Sequence, residues 1–283
     1  MAGSMKASSD CYACLKRLTY QAAGLATEDE LVEKKAIEEG LKALEENFST
    51  DKVTIVIATK IHNVIKEITG NPDPYKEVKK REMEIARRLY HEKGPVDEGD
   101  FANCLKFAAW GNTMDFFKRF DSIEEDMVKP VSFVVDDSEH FERKVKNGGK
   151  VLYLADNAGE VYFDLPLVKW LRQHTDVTYV VKPSPVQNDI TLEDVRYVGL
   201  EGQLGKIMTT GTATPGIDFL FASTEFMQEF ESADLIFAKG MGYYESLTEL
   251  PRRGRFFHCL KAKCRPVAHS LGVPVDSYVA MLR

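Results

Sequence analysis

The sequence predicts an α/β fold: a three-layer α/β/α, doubly wound, mostly parallel sheet with an N-terminal all-helical subdomain. Three observations lead there. The second half alternates short apolar runs with helical patterns, as strands joined by crossover helices do. The first half shows only helical spacing of its apolar residues. Polar residues gather just after the apolar runs, at strand ends where open α/β sheets place their ligands. The helical subdomain is expected over residues 5–125 and the α/β domain over 126–283.

Composition narrows the class of molecule. At 283 residues the chain can bury a substantial core. Hydrophobic residues make up 44% and charged residues 29%, as in soluble globular proteins. A formal net charge of -7 argues against a nucleic-acid binder, which presents a basic face. It leaves room for a small anionic partner, because a metal ion or a few lysines supply a local positive field. No apolar stretch is long enough to span a bilayer, and the N-terminus has no signal-peptide core. Met1 to Ser4 reads as a leader ahead of Met5. Five scattered cysteines, an odd number, fit reduced thiols in a cytoplasm better than a disulfide framework.

Taken in order, residues 10–23 carry Cys11, Leu15, Leu18 and Ala22 at helical spacing. Thr27 with Glu30 has capping-box spacing and opens a charged helix to about Phe48. Residues 51–69 begin with a β-branched run, but Ile61, Val64, Ile65 and Ile68 continue a longer period that predicts helix. Residues 70–75 form a turn. A charged helix over 76–93 ends at Gly94-Pro95, and another spans 97–117 with Phe101, Leu105, Ala108 and Ala109 inward. A short helix over 138–147 stops at Gly148-Gly149. The strand runs are 151–155, 177–181, 207–210, 235–238, 256–260 and 279–282. Helices are expected between them at 161–173, 215–222 and 224–231.

The sharpest polar cluster is Asp156-Asn157-Ala158-Gly159-Glu160, directly after the run 151–155. The next helix turns its positive end towards the same spot. Helix capping is the plain alternative, but it accounts for one of Asp156 and Asn157, not both. A second cluster runs from Lys182-Pro183 to Asn188-Asp189, just after the run 177–181. Two carboxylates and an amide from neighbouring strand ends make an oxygen-rich site, suited to Mg²⁺ or Mn²⁺ with positions left for water and phosphate.

Lys239-Gly240-Met241-Gly242 follows the run 235–238. Gly-x-Gly alone signals a tight turn; Lys239 adds a point charge suited to phosphate. Thr210-Gly211-Thr212 offers donors to the same anion. Asn112 and Asp115, at the end of an apolar helix, read by themselves as caps or exposed residues. Cys11 and Cys14 have metal or redox spacing. Cys259 and Cys264 would complete four thiolates only if the termini meet. Structural zinc at Cys11/Cys14 is therefore not expected, since an isolated pair supplies half the ligands such a site needs. The six histidines form no pattern.

Together these stretches resemble the metal-dependent damage-control phosphatase family, formerly domain-of-unknown-function family 89. The matching residues are Asp156-Asn157-Ala158-Gly159-Glu160, Lys182-Pro183 through Asn188-Asp189 with Asp194, Thr210-Gly211 with Pro215-Gly216, and Lys239-Gly240-x-Gly242 with Glu245. Asp73-Pro74-Tyr75, Gly111-Asn112 with Asp115, and Leu260-Lys261-Ala262-Lys263-Cys264 also match. The Cys11/Cys14 pair looks like the small archaeal-type subgroup. The resemblance implies a divalent metal (Mg, Mn, Co or Ni) held by Asp156, Asn157 and Asp189. It implies catalytic roles at Glu160, Asp156 and Lys239. Substrate contacts are implied at Asn112, Asp115, Lys182, Gly211, Lys239 and Gly240. The implied substrates are small phosphate monoesters: damaged or side-product metabolites and sugar phosphates. One departure is Tyr243, which stands where the family usually has Asn.

On that reading the metal neutralises phosphate oxygens, Lys239 and backbone N–H groups bind the others, and Glu160 or Asp156 orients water. A phospho-aspartyl intermediate on Asp156 stays open. An S-adenosylmethionine-dependent methyltransferase is one rival, because residues 151–159 resemble a strand-to-glycine-loop nucleotide motif. That motif ordinarily takes two or three glycines, and only Gly159 is present. A non-catalytic metabolite-binding regulator is the other rival; it would hold phosphorylated ligands without turnover. The expected partner is a small phosphorylated metabolite, with no nucleic acid and no membrane.

Overall fold

The computed structural model describes residues 5–93, 96–113, 129–251 and 254–283. The chain opens with α1 (Ser9–Ala26), α2 (Glu30–Asn47), α3 (Thr54–Thr69), α4 (Lys76–Lys93) and α5 (Phe101–Gly111). Next come β1 (Phe133–Asp136), α6 (Ser138–Lys146), β2 (Lys150–Leu154), a 3-10 turn (Ala158–Glu160), α7 (Val161–His174) and β3 (Asp176–Val181). Then follow α8 (Leu192–Val198), α9 (Glu201–Leu204), β4 (Lys206–Thr209), α10 (Thr224–Ser232) and β5 (Leu235–Lys239). Last are α11 (Gly240–Leu247), β6 (Phe256–Lys261), α12 (Arg265–Leu271) and β7 (Tyr278–Leu282).

Local chemistry sets the helix ends. Asp29, not Thr27, caps α2: its Oδ1 accepts from Leu31 N at 2.9 Å and Val32 N at 3.2 Å. A carboxylate is the better partner for the positive end of the helix, and Thr27 Oγ1 accepts from Asp29 N instead. The β-branched α3 is helical because Ile57, Ile61 and Ile65 fall on one fully buried stripe against α1 and α2. Asp100 caps α5, so this helix starts at Phe101, four residues later than the expected start at 97. Residues 114–117 of that expected helix, and Gly94-Pro95, lie outside the described residues.

The sheet runs β1-β7-β6-β5-β2-β3-β4. β7 lies antiparallel to β6, and the other pairs are parallel. Side chains alternate across it. Val151, Tyr153, Tyr179 and Phe237 face a core with α5, α6 and α7. Leu152, Leu154, Val180 and Ile236 face another with α10 and α11. These two helical layers around one sheet give the α/β/α architecture.

Three features depart from the sequence reading. β1 is a four-residue edge strand that no pattern marked. Residues 215–222 are not a helix; Pro215 is followed by Gly216 at φ +67°, and the segment runs as a loop. The short helices α8, α9, α11 and α12 lacked enough turns to register as periodic. The cores also divide earlier than residue 125. α1, α2 and α3 bury their own cluster, whereas α4 and α5 share the main core with α7 and the sheet.

A buried lysine with two carboxylate partners ties α4 to α8. Lys79 of α4, almost wholly buried, reaches Asp73 at 2.9 Å and Asp194 at 3.0 Å. Asp194 also closes the capping box of α8 with Thr191. Asp73 and Asp194, matched in sequence, are thus partners of one lysine.

Candidate active site

β2 and β3 are adjacent and parallel, so their C-terminal ends lie on one sheet edge. The chain beyond each is tied to the other. Asn157 and Asp189 form an isolated antiparallel bridge, with Ala158 N donating to Asn188 O at 2.8 Å and Ile190 N to Asp156 O at 2.9 Å. These bonds bring the Asp156 and Asp189 side chains to one cleft of about 110 Å³, with Asn112, Asn157, Gly240, Lys261 and Lys263 also on its walls.

The carboxylates there are charge-stressed. Desolvation holds the Asp156 carboxyl well above its usual range, reinforced by Glu160 and Asp189 and opposed by Lys263 and Lys239. Desolvation also raises Asp189, to about 6, against the pull of Lys182. Asp189 Oδ2 is buried and has no hydrogen-bond partner; its nearest cation is Lys182 Nζ at 3.5 Å. Gly240 makes the crowding possible. Its φ is +74°, and a Cβ there would stand 1.9 Å from Asp156 Oδ2.

Asn157 is oriented by its neighbours. Its Nδ2 donates to Asp156 Oδ2 at 3.1 Å and Glu160 Oε1 at 2.7 Å. Two carboxylates fix the amide's donor end, leaving Oδ1 as the atom it offers elsewhere. It makes no side-chain cap to the 3-10 turn that follows, so the capping alternative does not describe it.

Several expected site residues sit behind the cleft instead. Glu160 is fully buried; its Oε2 accepts from Asn112 Nδ2 and lies 2.8 Å from Lys239 Nζ. Both oxygens are engaged, and through them Glu160 orients the Asn157 and Asn112 amides. Lys239 is equally buried. It donates to Asp164 Oδ1 at 2.8 Å and to Ala108 O at 2.7 Å and pairs with the Glu160 carboxylate at 2.8 Å. Desolvation would lower its pKa, but Asp164 and Glu160 outweigh it and hold the ammonium well above the ordinary lysine value. These partners turn the ammonium away from the cleft, whose walls do not include Lys239.

Lys182 is buried too, donating to Gly216 O and to Tyr243 Oη at 3.0 Å, with its ammonium 4.4 Å from the Tyr243 ring centre. It braces Asp189 and the loop after β4 instead of contacting the cleft. Tyr243, the departure from the family pattern, is its buried partner. Gly211 has φ +78°, and a Cβ would meet Ser223 N at 2.4 Å. It is a turn residue and lies off the cleft wall. Asp115 lies outside the described residues.

Sequence reasoning passed over Asp164 and Glu82 and gave no role to Gln187, Lys261 or Lys263. Asp164 Oδ2 accepts from Tyr179 Oη at 2.8 Å, completing the anchorage of Lys239. Gln187 lines the cleft in a left-handed conformation, φ +46°, that a non-glycine residue adopts at a cost. Glu82 of α4 takes both amide protons of Asn188, at 2.9 and 3.0 Å, and so holds the Asp189 turn from behind. The matched Lys261-x-Lys263 pair was the signal for the two cationic walls. Cys14 and Cys264 border one neighbouring cavity, whereas Cys259 is buried in β6. The four thiols are not gathered. Among the described residues no three His, Cys, Asp or Glu side chains form a metal cage.

Two carboxylates and an oriented amide nevertheless fit a hard divalent cation, which is content with few protein ligands and keeps water. Asp189 Oδ2, buried with no hydrogen bond and only the Lys182 ammonium at 3.5 Å, is the atom such an ion would satisfy.

Residues 7–279 match the damage-control phosphatase ARMT1-like domain. A damage-control phosphatase of Pyrococcus horikoshii is 34% identical over 98% of both chains. One from Archaeoglobus fulgidus is 34% identical over 98% of this chain and 99% of that one. An uncharacterized protein of Methanocaldococcus jannaschii is 33% identical, over 99% and 96%. The crystal structure of a DUF89 family protein from Pyrococcus horikoshii superposes with a TM-score of 0.88 at 32% identity, covering 98% of this chain and 99% of that one. No described helix is long and apolar enough to cross a membrane.

Proposed function

The chain belongs to the damage-control phosphatase ARMT1-like domain family, and on that premise we propose that it hydrolyses small phosphate monoesters with a divalent metal. The observation that carries the metal reading is the backbone bridge that brings Asp156 and Asp189 to one cleft opposite Lys261 and Lys263. Asp156, Asp189 and Asn157 Oδ1 would hold the ion. When bound, it supplies positive charge at the phosphate oxygens and lowers the pKa of a coordinated water.

The chain's own groups do the rest. Lys261 and Lys263 add positive field where the phosphate enters. Glu160, Lys239 and Asp164 hold the Asn157 amide and the Asp156 loop in place, so that little reorganisation accompanies reaction.

The test is a screen of small phosphate esters against protein stripped with EDTA and reloaded with Mg²⁺, Mn²⁺, Co²⁺ or Ni²⁺. Activity should vanish on stripping and return to different extents with each ion. Full activity in the stripped protein overturns metal dependence. Tight binding of phosphate esters without release of phosphate would favour the regulator.

A further inference from the structure

Gln187 stands between the acidic cleft and a second cavity beside it, of about 220 Å³. The two cavities share Gln187, Pro215, Met241, Gly242 and Lys263. Of these, only Gln187 and Lys263 carry polar side chains. The Gln187 amide makes no hydrogen bond to another described residue. Arg17, Thr54 and Glu245 lie among the apolar side chains that line the second cavity. A hydroxylated group entering it therefore meets polar atoms as well as carbon.

The backbone holds that amide in place at a cost. Gln187 has φ +46°, a left-handed conformation disfavoured for any residue with a Cβ. The turn around it is tied from both sides. Lys66 Nζ donates to Pro185 O, Asp189 N to Val186 O at 3.1 Å, and the Asn188 amide to both carboxylate oxygens of Glu82. Glycine would sit there without strain, so a glutamine kept in this conformation points to a use for its side chain.

We propose, resting on the phosphatase reading, that Gln187 is a specificity-determining residue that reads a hydroxyl on the carbon next to the phosphate-bearing one. The cleft, about 110 Å³, has room for roughly four waters, and an ion with a phosphate group takes that up. The first carbons of the ester then lie along the shared wall, beside Gln187. An amide offers both a donor and an acceptor, and a hydroxyl can use either. The substrate class is a phosphate monoester of a vicinal diol, the unit that sugar phosphates and glycerol phosphates have in common.

The experiment compares 2-hydroxyethyl phosphate with propyl phosphate, two esters of equal size, on the Mn²⁺-loaded protein. One neutral hydrogen bond corresponds to roughly two- to tenfold in kcat/KM, and the parent should prefer the hydroxylated ester by that factor. Gln187→Leu keeps the bulk and removes the amide, so the preference should disappear. Gln187→Gly should abolish it too, with Tm held or raised by relief of the backbone. Gln187→Asn, whose amide sits on a shorter stem and tolerates the left-handed conformation, should keep part of it. Mn²⁺ affinity by titration calorimetry should match the parent's in all three. Equal kcat/KM for the two esters in the parent, or a preference that survives in Gln187→Leu and Gln187→Gly, overturns the assignment and leaves the phosphatase reading standing. Loss of Mn²⁺ affinity together with the preference overturns it as well, because Gln187 would then act by holding the Asp189 turn. If the parent hydrolyses neither ester, the Tm shifts given by their non-hydrolysable isosteres, 3-hydroxypropylphosphonate and butylphosphonate, decide the Gln187 contact by the same comparison. Only failure to hydrolyse any phosphate ester counts against the phosphatase reading.

Discussion

Asn157 and Asp189 pair as a single antiparallel bridge across the ends of two parallel strands, flanked by hydrogen bonds of 2.8 and 2.9 Å. The bridge makes the two acidic turns one rigid unit. Asp156→Asn and Asp189→Asn should each lower metal affinity and turnover together while leaving the fold intact. Asp156→Asn also relieves charge in a desolvated cluster, so Tm of the stripped protein should hold or rise, whereas Asp189→Asn removes the ion-pair partner of buried Lys182 and should lower it. The double variant should lose less than the sum of the singles, since both serve one site. Titration calorimetry with Mn²⁺ beside thermal melts checks this; unchanged affinity in a folded single variant would show a turn residue only.

Lys239 neutralises two fully buried carboxylates, Glu160 and Asp164. Lys239→Met removes the cation and strands both acids. Breaking a buried pair in this way costs roughly 3–5 kcal/mol. Urea unfolding should show a loss of that order. A loss under about 1 kcal/mol would mean the carboxylates are protonated in the parent.

Gly240→Ala places a methyl group where Asp156 Oδ2 now stands. The left-handed backbone adds a strain of about 1–3 kcal/mol. Displacement of Asp156 should weaken Mn²⁺ binding beyond what that strain explains. Gly211→Ala is the control: it has comparable strain and a comparable clash, but against Ser223. It should reduce Tm without changing metal affinity in the protein that remains folded.

Burial lowers the pKa of His62 from 6.5 to about 3, with Lys66 adding to the effect, and neither ring nitrogen has a hydrogen-bond partner. His258 is likewise pushed down to about 3. A base whose folded pKa is depressed favours the folded state while neutral. That contribution is present above the unfolded pKa and is lost as pH falls from about 6.5 towards 3. The protein should therefore lose stability across that window. His62→Met, which cannot be charged, should lose less between pH 7 and pH 4 in urea midpoints. Parallel curves for parent and variant would show that His62 is protonated without penalty.

The sequence by itself determined the architecture and where on it to look. The runs at 151–155, 177–181 and 235–238 were legible as strands because fully buried parallel strands are apolar throughout. Asp156, Asn157, Asp189 and Gly240 were legible because polar residues and glycine at such strand ends break an otherwise apolar pattern. The tertiary structure decided which polar residue faces the cleft and which lies behind it. Lys239 ends a strand and Lys182 follows one, as Asp156 does, yet Lys239 turns to Glu160 and Asp164 and Lys182 to Gly216 O and Tyr243. A side chain's direction depends on partners such as Asp164, Glu82 and Ala108 that lie far away in sequence, and no local spacing encodes them. The same reason hid the cavity beside the cleft, whose walls join α1, α3 and α11 to loop residues Gln187, Pro215 and Lys263.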